Sequence, residues 1–496
     1  MTVPDRARRE DRRRALWRCA LAALLPAAIV LVLIAAWFDA GPRQFLPFWT
    51  DEVVYWNETA VFAEARLEGG YITMHEYPAP VERSRFGPHG PLFAVFHGAV
   101  ARVAGLRPYS AFLVNLVVVS LAAFAWLRGS AAGVSPAALL LLAAFWPLLL
   151  YLPTNMQEPT HFALAFLFAL SIERRLDRAG LWTHVWTVPL LAMAALLRPS
   201  WALLILPLGW RRARRAGWRG VAVLLLVTVA ASAAASRAFD ALASPSDISV
   251  HVLTSTLAES PLRVPALLAT TATRNLGSWF ALDEDRPPEI ALRYFTALLL
   301  VVLLVRTTIA RPPEPARAEA LELALLALGP AAAAVIGFGE VLGWRDFRVL
   351  APHVLIALLL LASTARWERW LWAGTLVLLP LYHQEFLQFH RERFTSDPAR
   401  IAAMRDATSG VMAFTPGAPP WTNTVVVPAE LLQYPLLGLP RGIGISYAVD
   451  WQNMEREIRS AYLLLRPQDR EELEGRLRME PLAETPLGTL YRNAGS

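Results

Sequence analysis

Residues 15–38 read ALWRCALAALLPAAIVLVLIAAWF, and residues 6–14 directly before them read RARREDRRR. A helix needs about 20 apolar residues to cross the hydrocarbon core of a bilayer. This run satisfies that length with a single charge, Arg18. The rival reading is a cleaved signal peptide. The apolar core of a signal is usually about 7–15 residues long and ends in a small-residue cleavage site. Here the run is longer and no clean A-x-A site closes it. It therefore reads as a signal anchor, with Arg6 to Arg14 in the cytoplasm.

The pattern recurs along the chain. Further apolar runs lie at 109–127, 134–152, 159–175, 183–197, 199–210, 220–238, 291–305, 318–338, 348–364 and 369–383. Together they predict about eleven crossings, some short enough to rely on tilt or bilayer thinning. Composition agrees: of 496 residues, 55% are hydrophobic and 18% charged, against about 25% charge in soluble domains. That deficit argues against a soluble enzyme, a disordered chain and a nucleic-acid binder. The net charge is +6, and all 47 basic residues are arginine. In a membrane protein such an excess first reports orientation. The one cysteine, Cys19, lies inside the first run, so neither an intrachain disulfide nor a cysteine metal site can form.

Short loops set the sidedness. Arg128, ERRLDR at 173–178, RRARRAGWR at 211–219, Arg306 to Arg317, and Arg366 with Arg369 all fall on the cytoplasmic side. The short opposite loops hold only Arg198 and the pair Arg345 and Arg348. The segment 90–105 is too short for a span and carries His97 and Arg102, so it reads as an amphipathic helix in the outer interface. The expected architecture is an α-helical polytopic membrane domain over 1–383, with a first outer loop at 38–108 and a second at 239–290. A small α/β extracytoplasmic domain follows over 384–496. In it TNTVVV predicts a strand, DREELEGRLRM a helix and PLGTLYR a closing strand.

Charged groups near the outer surface are the candidates for chemistry. Asp51 and Glu52 follow the first span among Phe48, Trp49, Tyr55 and Trp56. A carboxylate pair held there by interfacial aromatics suits a general base or a metal; a solvated loop pair is the plainer alternative. His89 lies in the turn sequence GPHGPL at 87–92, where it suits a proton shuttle or a ligand. Glu158 sits in the short outer loop LPTNMQEPTHF at 152–162, where it either acts on substrate or caps a helix start. Arg198, Arg345 and Arg348 stand on the side that positive-inside statistics disfavour. Guanidinium groups suit bidentate phosphate contacts; snorkelling to lipid headgroups is the alternative. Glu319 and Glu322, near a cytoplasmic helix start, read as structural.

In this order the motifs resemble the GT-C class of polytopic glycosyltransferases. That class includes the protein O-mannosyltransferases and the aminoarabinose transferases of lipid A. The carrying features are the Asp51–Glu52 pair after the first span, Tyr55, GGY at 69–71, GPHGPL at 87–92, Glu158, Arg198–Pro199, and RDFRVLAPH at 345–353. The chain departs from the family pattern where Leu-Arg precedes Pro199 and where GPHGPL replaces a P-P-L-Y turn. The resemblance implies transfer of a sugar from a polyprenyl-phosphate carrier to an extracytoplasmic glycan, lipid or protein acceptor, with inversion. It implies Asp51 as general base and Arg198, Arg345 and Arg348 on the lipid phosphate. Glu52 joins the catalytic pair, and Tyr55, His89, Glu158 and His161 position substrate. A divalent cation bridging Asp51 and Glu158 stays open.

Two other classes compete. A flippase for a lipid-linked sugar would explain the arginines and the spans, but transporters place ionisable groups near the midplane and show repeated halves. A non-catalytic envelope assembly protein would make the tail the working part. The arginine-only, alanine-rich composition points to a bacterial inner membrane.

Overall fold

The computed structural model describes residues 3–69, 86, 87, 89–174, 181–243, 256, 260–280, 287–309, 314–338, 348–364, 379–448 and 458–495. Proline breaks several of the apolar runs. The first run is a pair of helices, α1 (Val3–Ala23) and α2 (Leu25–Phe38), joined at Leu24 where Pro26 opens the second. The run expected at 134–152 splits at Phe145 into α6 (Pro136–Ala144) and α7 (Trp146–Tyr151), with Pro147 in the first turn of α7. The run at 199–210 opens as a 3-10 turn (Pro199–Leu204) before α10 (Ile205–Arg215). Proline lacks the amide that a continuous ladder needs, so each break falls where the sequence removes a donor.

The other runs are α5 (Ser110–Gly129), α8 (Glu158–Glu173), α9 (Leu181–Leu197), α11 (Gly217–Leu242), α13 (Pro287–Thr308), α14 (Pro315–Phe338) and α15 (Ala351–Thr364). Five helices are long and apolar enough to cross a membrane: Glu10–Phe38, Ser110–Gly129, Gly217–Leu242, Ile290–Thr308 and Pro315–Gly337. The remaining expected crossings are shorter or broken helices. Most of the run at 369–383 lies outside the described residues. Helix α16 (Leu379–Thr395) runs across the expected domain boundary at 383. The second outer loop contains a helix the sequence reading missed, α12 (Val264–Phe280).

The first outer loop holds two helices. In α4 (Pro91–Ala104) the buried residues Phe93, Ala94, His97, Gly98 and Ala101 repeat at helical spacing, as expected of an amphipathic helix. This face packs on α3 (Thr50–Ala65). Gly98 permits the approach, since a Cβ there would stand 2.7 Å from the ring of Phe62. Helix α3 is buried on nearly every side, with an unbroken run from Glu52 to Val61.

The main core joins α2, α5 to α8, α14, α15 and α16. At the end of the bundle away from α3, Arg211 pairs with Glu319, and Arg214 lies 2.5 Å from Glu322. The two glutamates read as structural are thus each paired with an arginine of α10.

The tail begins with α16 and α17 (Ala399–Ser409) and closes on a five-stranded sheet of order β2-β1-β3-β5-β4. Strand β1 (Thr424–Pro428) is parallel to β2 (Gly444–Ala448) and to β3 (Tyr462–Leu465). Strand β5 (Gly488–Asn493) pairs antiparallel with β3 and with β4 (Met479–Thr485). Both expected strands are found. The expected helix is only α18 (Pro467–Leu473), which stops before Gly475 at φ +84°.

The tail is docked on the first loop. The side chain of Asn57 in α3 donates to Ile443 O at 2.9 Å and accepts from Ile445 N at 3.1 Å, beside the edge strand β2. Val53, Val54, Trp56 and Ala60 of α3 share one core with Val425, Val427 and Ile445 of the sheet.

Candidate active site

Four chain segments bring their charged residues to one place. Asp51 lies in the first turn of α3 and Glu158 opens α8, where a carboxylate favours the helix dipole. Arg198 ends the break between α9 and the 3-10 turn, and Arg348 directly precedes α15. Arg348 Nη2 donates to Asp51 Oδ2 at 2.6 Å. Its Nε lies 3.3 Å from Glu158 Oε1. Arg198 Nη2 stands 3.8 Å from the same oxygen, and its Nη1 donates to Val349 O at 3.3 Å. Two carboxylates and two guanidinium groups thus alternate in one cluster. Glu158 is 1% exposed, whereas Asp51 keeps 31% of its side chain open. Glu158 Oε2 is buried and has no hydrogen-bond partner among the described residues.

The expected acidic pair divides at this point. Glu52 is fully buried and turns away from Asp51. Its Oε2 lies 2.6 Å from Arg393 Nη2 of α16 and accepts from the amides of Phe48 and Trp49 at 2.9 and 3.1 Å. Its Oε1 accepts from Asn155 N at 2.8 Å, and Asn155 Nδ2 donates back to Glu52 O at 2.8 Å. Arg393 also donates to Pro153 O at 2.6 Å and contacts His390. The bonds to Asn155, Pro153 and Arg393 tie three distant segments of the chain together.

Tyr55, one turn after Asp51, is 1% exposed. Its ring centroid lies 4.7 Å from that of His89 and 4.6 Å from that of Phe93. His89 is carried by the expected turn, in which Gly90 N donates to Gly87 O at 3.1 Å. Gly90 has φ +80°, and a Cβ there would lie 2.9 Å from Leu196 O, so both backbone and space require glycine. The turn is held to α3 by Gly87 N donating to Glu58 Oε1 at 2.9 Å. Burial raises the Glu58 carboxyl to about 8, outweighing that hydrogen bond. Burial, then Glu158 and Asp51, hold the Tyr55 hydroxyl well above its usual range. Burial lowers His89 despite the nearby Asp51. At neutral pH two uncharged polar groups, Tyr55 and His89, therefore border the charged cluster.

His161 lies one turn further into the bundle than Glu158. It is fully buried, and its Nδ1 accepts from Trp201 Nε1 at 2.8 Å. Trp201 in turn packs on His353 with ring centroids 5.2 Å apart. This stack stands behind Arg198, where it supports the 3-10 turn. Arg345 lies outside the described residues, as do Gly70 and Tyr71 of the GGY motif. Among the described residues no three His, Cys, Asp or Glu side chains gather as metal ligands. The Arg348 guanidinium stands between Asp51 and Glu158, so this donor set does not fit the bridging cation that the resemblance leaves open.

Sequence reading missed Arg393, Asn155, Asn57 and Trp201. Arg393 lies in HRERF, where several polar residues at a helix end conceal the one that is buried. Asn155 stood in the loop quoted for Glu158 but carries no charge to mark it.

No protein-family model matches the chain, and no curated protein matches it. Among the solved structures similar to it, two match over almost its whole length. The crystal structure of ArnT from Cupriavidus metallidurans bound to undecaprenyl phosphate covers 95% of this chain and 98% of its own, at 13% identity and a TM-score of 0.49. The apo state of the same protein covers 95% and 97%, at 14% identity and a TM-score of 0.40.

Proposed function

We propose that the protein is a membrane glycosyltransferase. It moves a sugar from a polyprenyl-phosphate carrier to an acceptor outside the cytoplasm, and it inverts the anomeric centre. The observation that carries this reading is the cluster Asp51–Arg348–Glu158–Arg198 at one end of the bundle, beneath the helices of the first outer loop. A transfer of this kind needs a base for the acceptor hydroxyl and positive charge for the departing phosphate. The cluster supplies both within hydrogen-bonding reach of each other.

In the reaction Asp51 removes the proton of the acceptor hydroxyl. The hydroxyl oxygen forms a bond to the anomeric carbon while the bond from that carbon to the phosphate oxygen breaks. Arg348 and Arg198 stabilise the charge on the released phosphate, and Arg345 joins them. Preorganised charge in a site of low dielectric is worth several kcal/mol to such a transition state. The unpartnered Oε2 of Glu158 accepts a sugar hydroxyl, and Tyr55 and His89 line the neutral side of the site. Glu52 acts by locking the first turn of α3 to α16 and the loop at 153–157, so its part in catalysis is to position Asp51. His161 acts in the same way through Trp201 and Arg198.

Charge at the ends of the helices favours transfer over transport, which would place such groups at mid-bundle. The arginine-rich opposite end then faces the cytoplasm, and the tail lies outside it in a bacterial inner membrane. The test uses purified protein in lipid nanodiscs, a panel of radiolabelled polyprenyl-phosphate sugars and an envelope extract. Label should move to the extract from one donor with wild type and not with Asp51→Asn. No consumption of any donor, with equal carrier binding by both proteins, would refute the reading.

A further inference from the structure

A second site lies about a quarter-turn around α3 from Asp51. Three to four residues make one helical turn, so Asp51 and Tyr55 share a face while Trp56 and Thr59 occupy the next. That next face, with α4 and the first turns of α5, encloses a pocket of about 250 Å³. Its floor is Trp56, Thr59, His97 and Asn155, all at least nine-tenths buried. Two floor atoms, His97 Nε2 and Asn155 Oδ1, have no hydrogen-bond partner among the described residues. Buried polar atoms of this kind cost stability unless something binds them. The Asn155 orientation is set by its Nδ2 donating to Glu52 O, which leaves Oδ1 as an acceptor.

The floor carries no charge. Burial depresses His97 to about 3, so its imidazole is neutral and offers one donor and one acceptor. Such a floor suits hydroxyl groups, and the indole of Trp56 gives a flat apolar wall; the charged residue of the lining, Arg107, is exposed and stands outside the buried floor. The mouth opens beside Ala104 and Leu113, where α5 begins. From Leu113 an exposed apolar strip continues through Val117 and Leu121, at 57% and 62% exposure, down a helix long enough to span the bilayer. A ligand that fits both parts has a hydroxylated head and an apolar tail.

We propose that this pocket binds the uncharged, hydroxylated head of a lipid from the outer leaflet, and that it docks a lipid-borne acceptor. The role as acceptor site rests on the glycosyltransferase reading; the binding site itself does not. The pocket is coupled to the reaction centre through one short segment. Asn155 lines its floor and holds the Glu52 backbone next to Asp51, and the adjacent Met156 touches Arg348.

The test is photolabelling in phosphatidylcholine nanodiscs with an octyl glucoside that carries a diazirine on its chain. Peptide mass spectrometry should find the label concentrated between residues 97 and 114. Excess dodecyl glucoside should compete, and dodecyl phosphate should not. His97→Phe should lower labelling roughly tenfold, the size of one lost hydrogen bond to a buried group. Val100→Trp blocks the pocket from its rim without touching the floor, and it serves if the first variant fails to fold. Label spread evenly over the lipid-facing helices would overturn the proposal. So would equal competition by the phosphate, or unchanged labelling in the folded variants. Labelling needs no transfer, so failure of the glycosyltransferase reading would appear separately, as a donor left unconsumed.

Discussion

Arg348 stands between two carboxylates, and in the proposed transfer an incoming lipid phosphate must draw it away from at least one of them. Asp51 is the partner with the more open side chain, at 31% exposed against 1% for Glu158. On that proposal, removing the Asp51 charge frees Arg348 for phosphate while it removes the base. Asp51→Asn should lower transfer by roughly 10²–10⁴-fold, the usual loss for a general base. It should also bind the carrier phosphate roughly two- to fivefold tighter, because half-exposed ion pairs are worth only about 0.2–1 kcal/mol. Titration of undecaprenyl phosphate into both proteins checks this, and weaker binding by the variant would contradict it. Glu58 gives a second prediction at this scale. Its folded value of about 8 exceeds the ordinary 4.5, so the folded state holds a proton that the unfolded state has lost. Its contribution is present below pH 4.5 and disappears as pH rises towards 8, with a slope of at most about 1.4 kcal/mol per unit. Glu58→Gln keeps an acceptor for Gly87 N and removes that slope. Melting curves in detergent between pH 5 and 9 should show the variant gaining on wild type as pH rises; parallel curves would exclude the mechanism.

At the scale of elements, α3 is positioned by the buried pair Glu52–Arg393 rather than by helix propensity. Breaking one side of such a pair leaves an uncompensated buried charge, which typically costs 3–5 kcal/mol. Arg393→Met should thus reduce thermal stability strongly, and Glu52→Gln/Arg393→Met should recover part of the loss, because no lone charge remains while the glutamine oxygen still accepts from the backbone amides around it. A double variant that melts below the single one would disprove this account. The same element shows what sequence can and cannot reveal. Helices α5, α11 and α14 were legible because about 20 apolar residues in a row have few alternatives near a membrane. The amphipathic α4 was legible from its length and from His97 and Arg102. Helix α3 was not, because it is buried on nearly all sides and so has no apolar stripe of helical period. Helix α12 escaped because its threonines, asparagine and arginine lower its hydropathy below that of a span. At the site, Asp51, Glu158, Arg198 and Arg348 stood out as charges in unexpected places. The division of Asp51 from Glu52 was invisible, since neighbouring helix positions point about 100° apart only once the helix is known.

For the whole molecule, membrane domain and tail are joined by shared structure. Asn57 reaches the backbone beside β2, the α3 core continues into the sheet, and α16 lies across the expected boundary while packing on α2 and α7. If the tail were a separate unit, removing 384–496 would separate an enzyme, which keeps slow transfer, from a scaffold, which loses everything. The shared core removes that distinction. The deletion would strip away Arg393 and expose Val53, Val54, Trp56 and Ala60, all of them at least nine-tenths buried. Their exposure forfeits about 25 cal/mol for each Å² of apolar surface returned to water. It also leaves the Glu52 carboxylate buried without its cation. A chain ending at residue 383 should therefore fail to accumulate as a monodisperse species in detergent, whatever its function. Asn57→Ala tests the same joint more gently. It unpairs the Ile443 carbonyl and the Ile445 amide beside the edge strand, where each buried polar group left without a partner costs about 1–3 kcal/mol. Hydrogen exchange should then rise in both 443–448 and 50–65. A rise confined to the tail would mean that the sheet is stable apart from α3 and that the reaction centre stands without it.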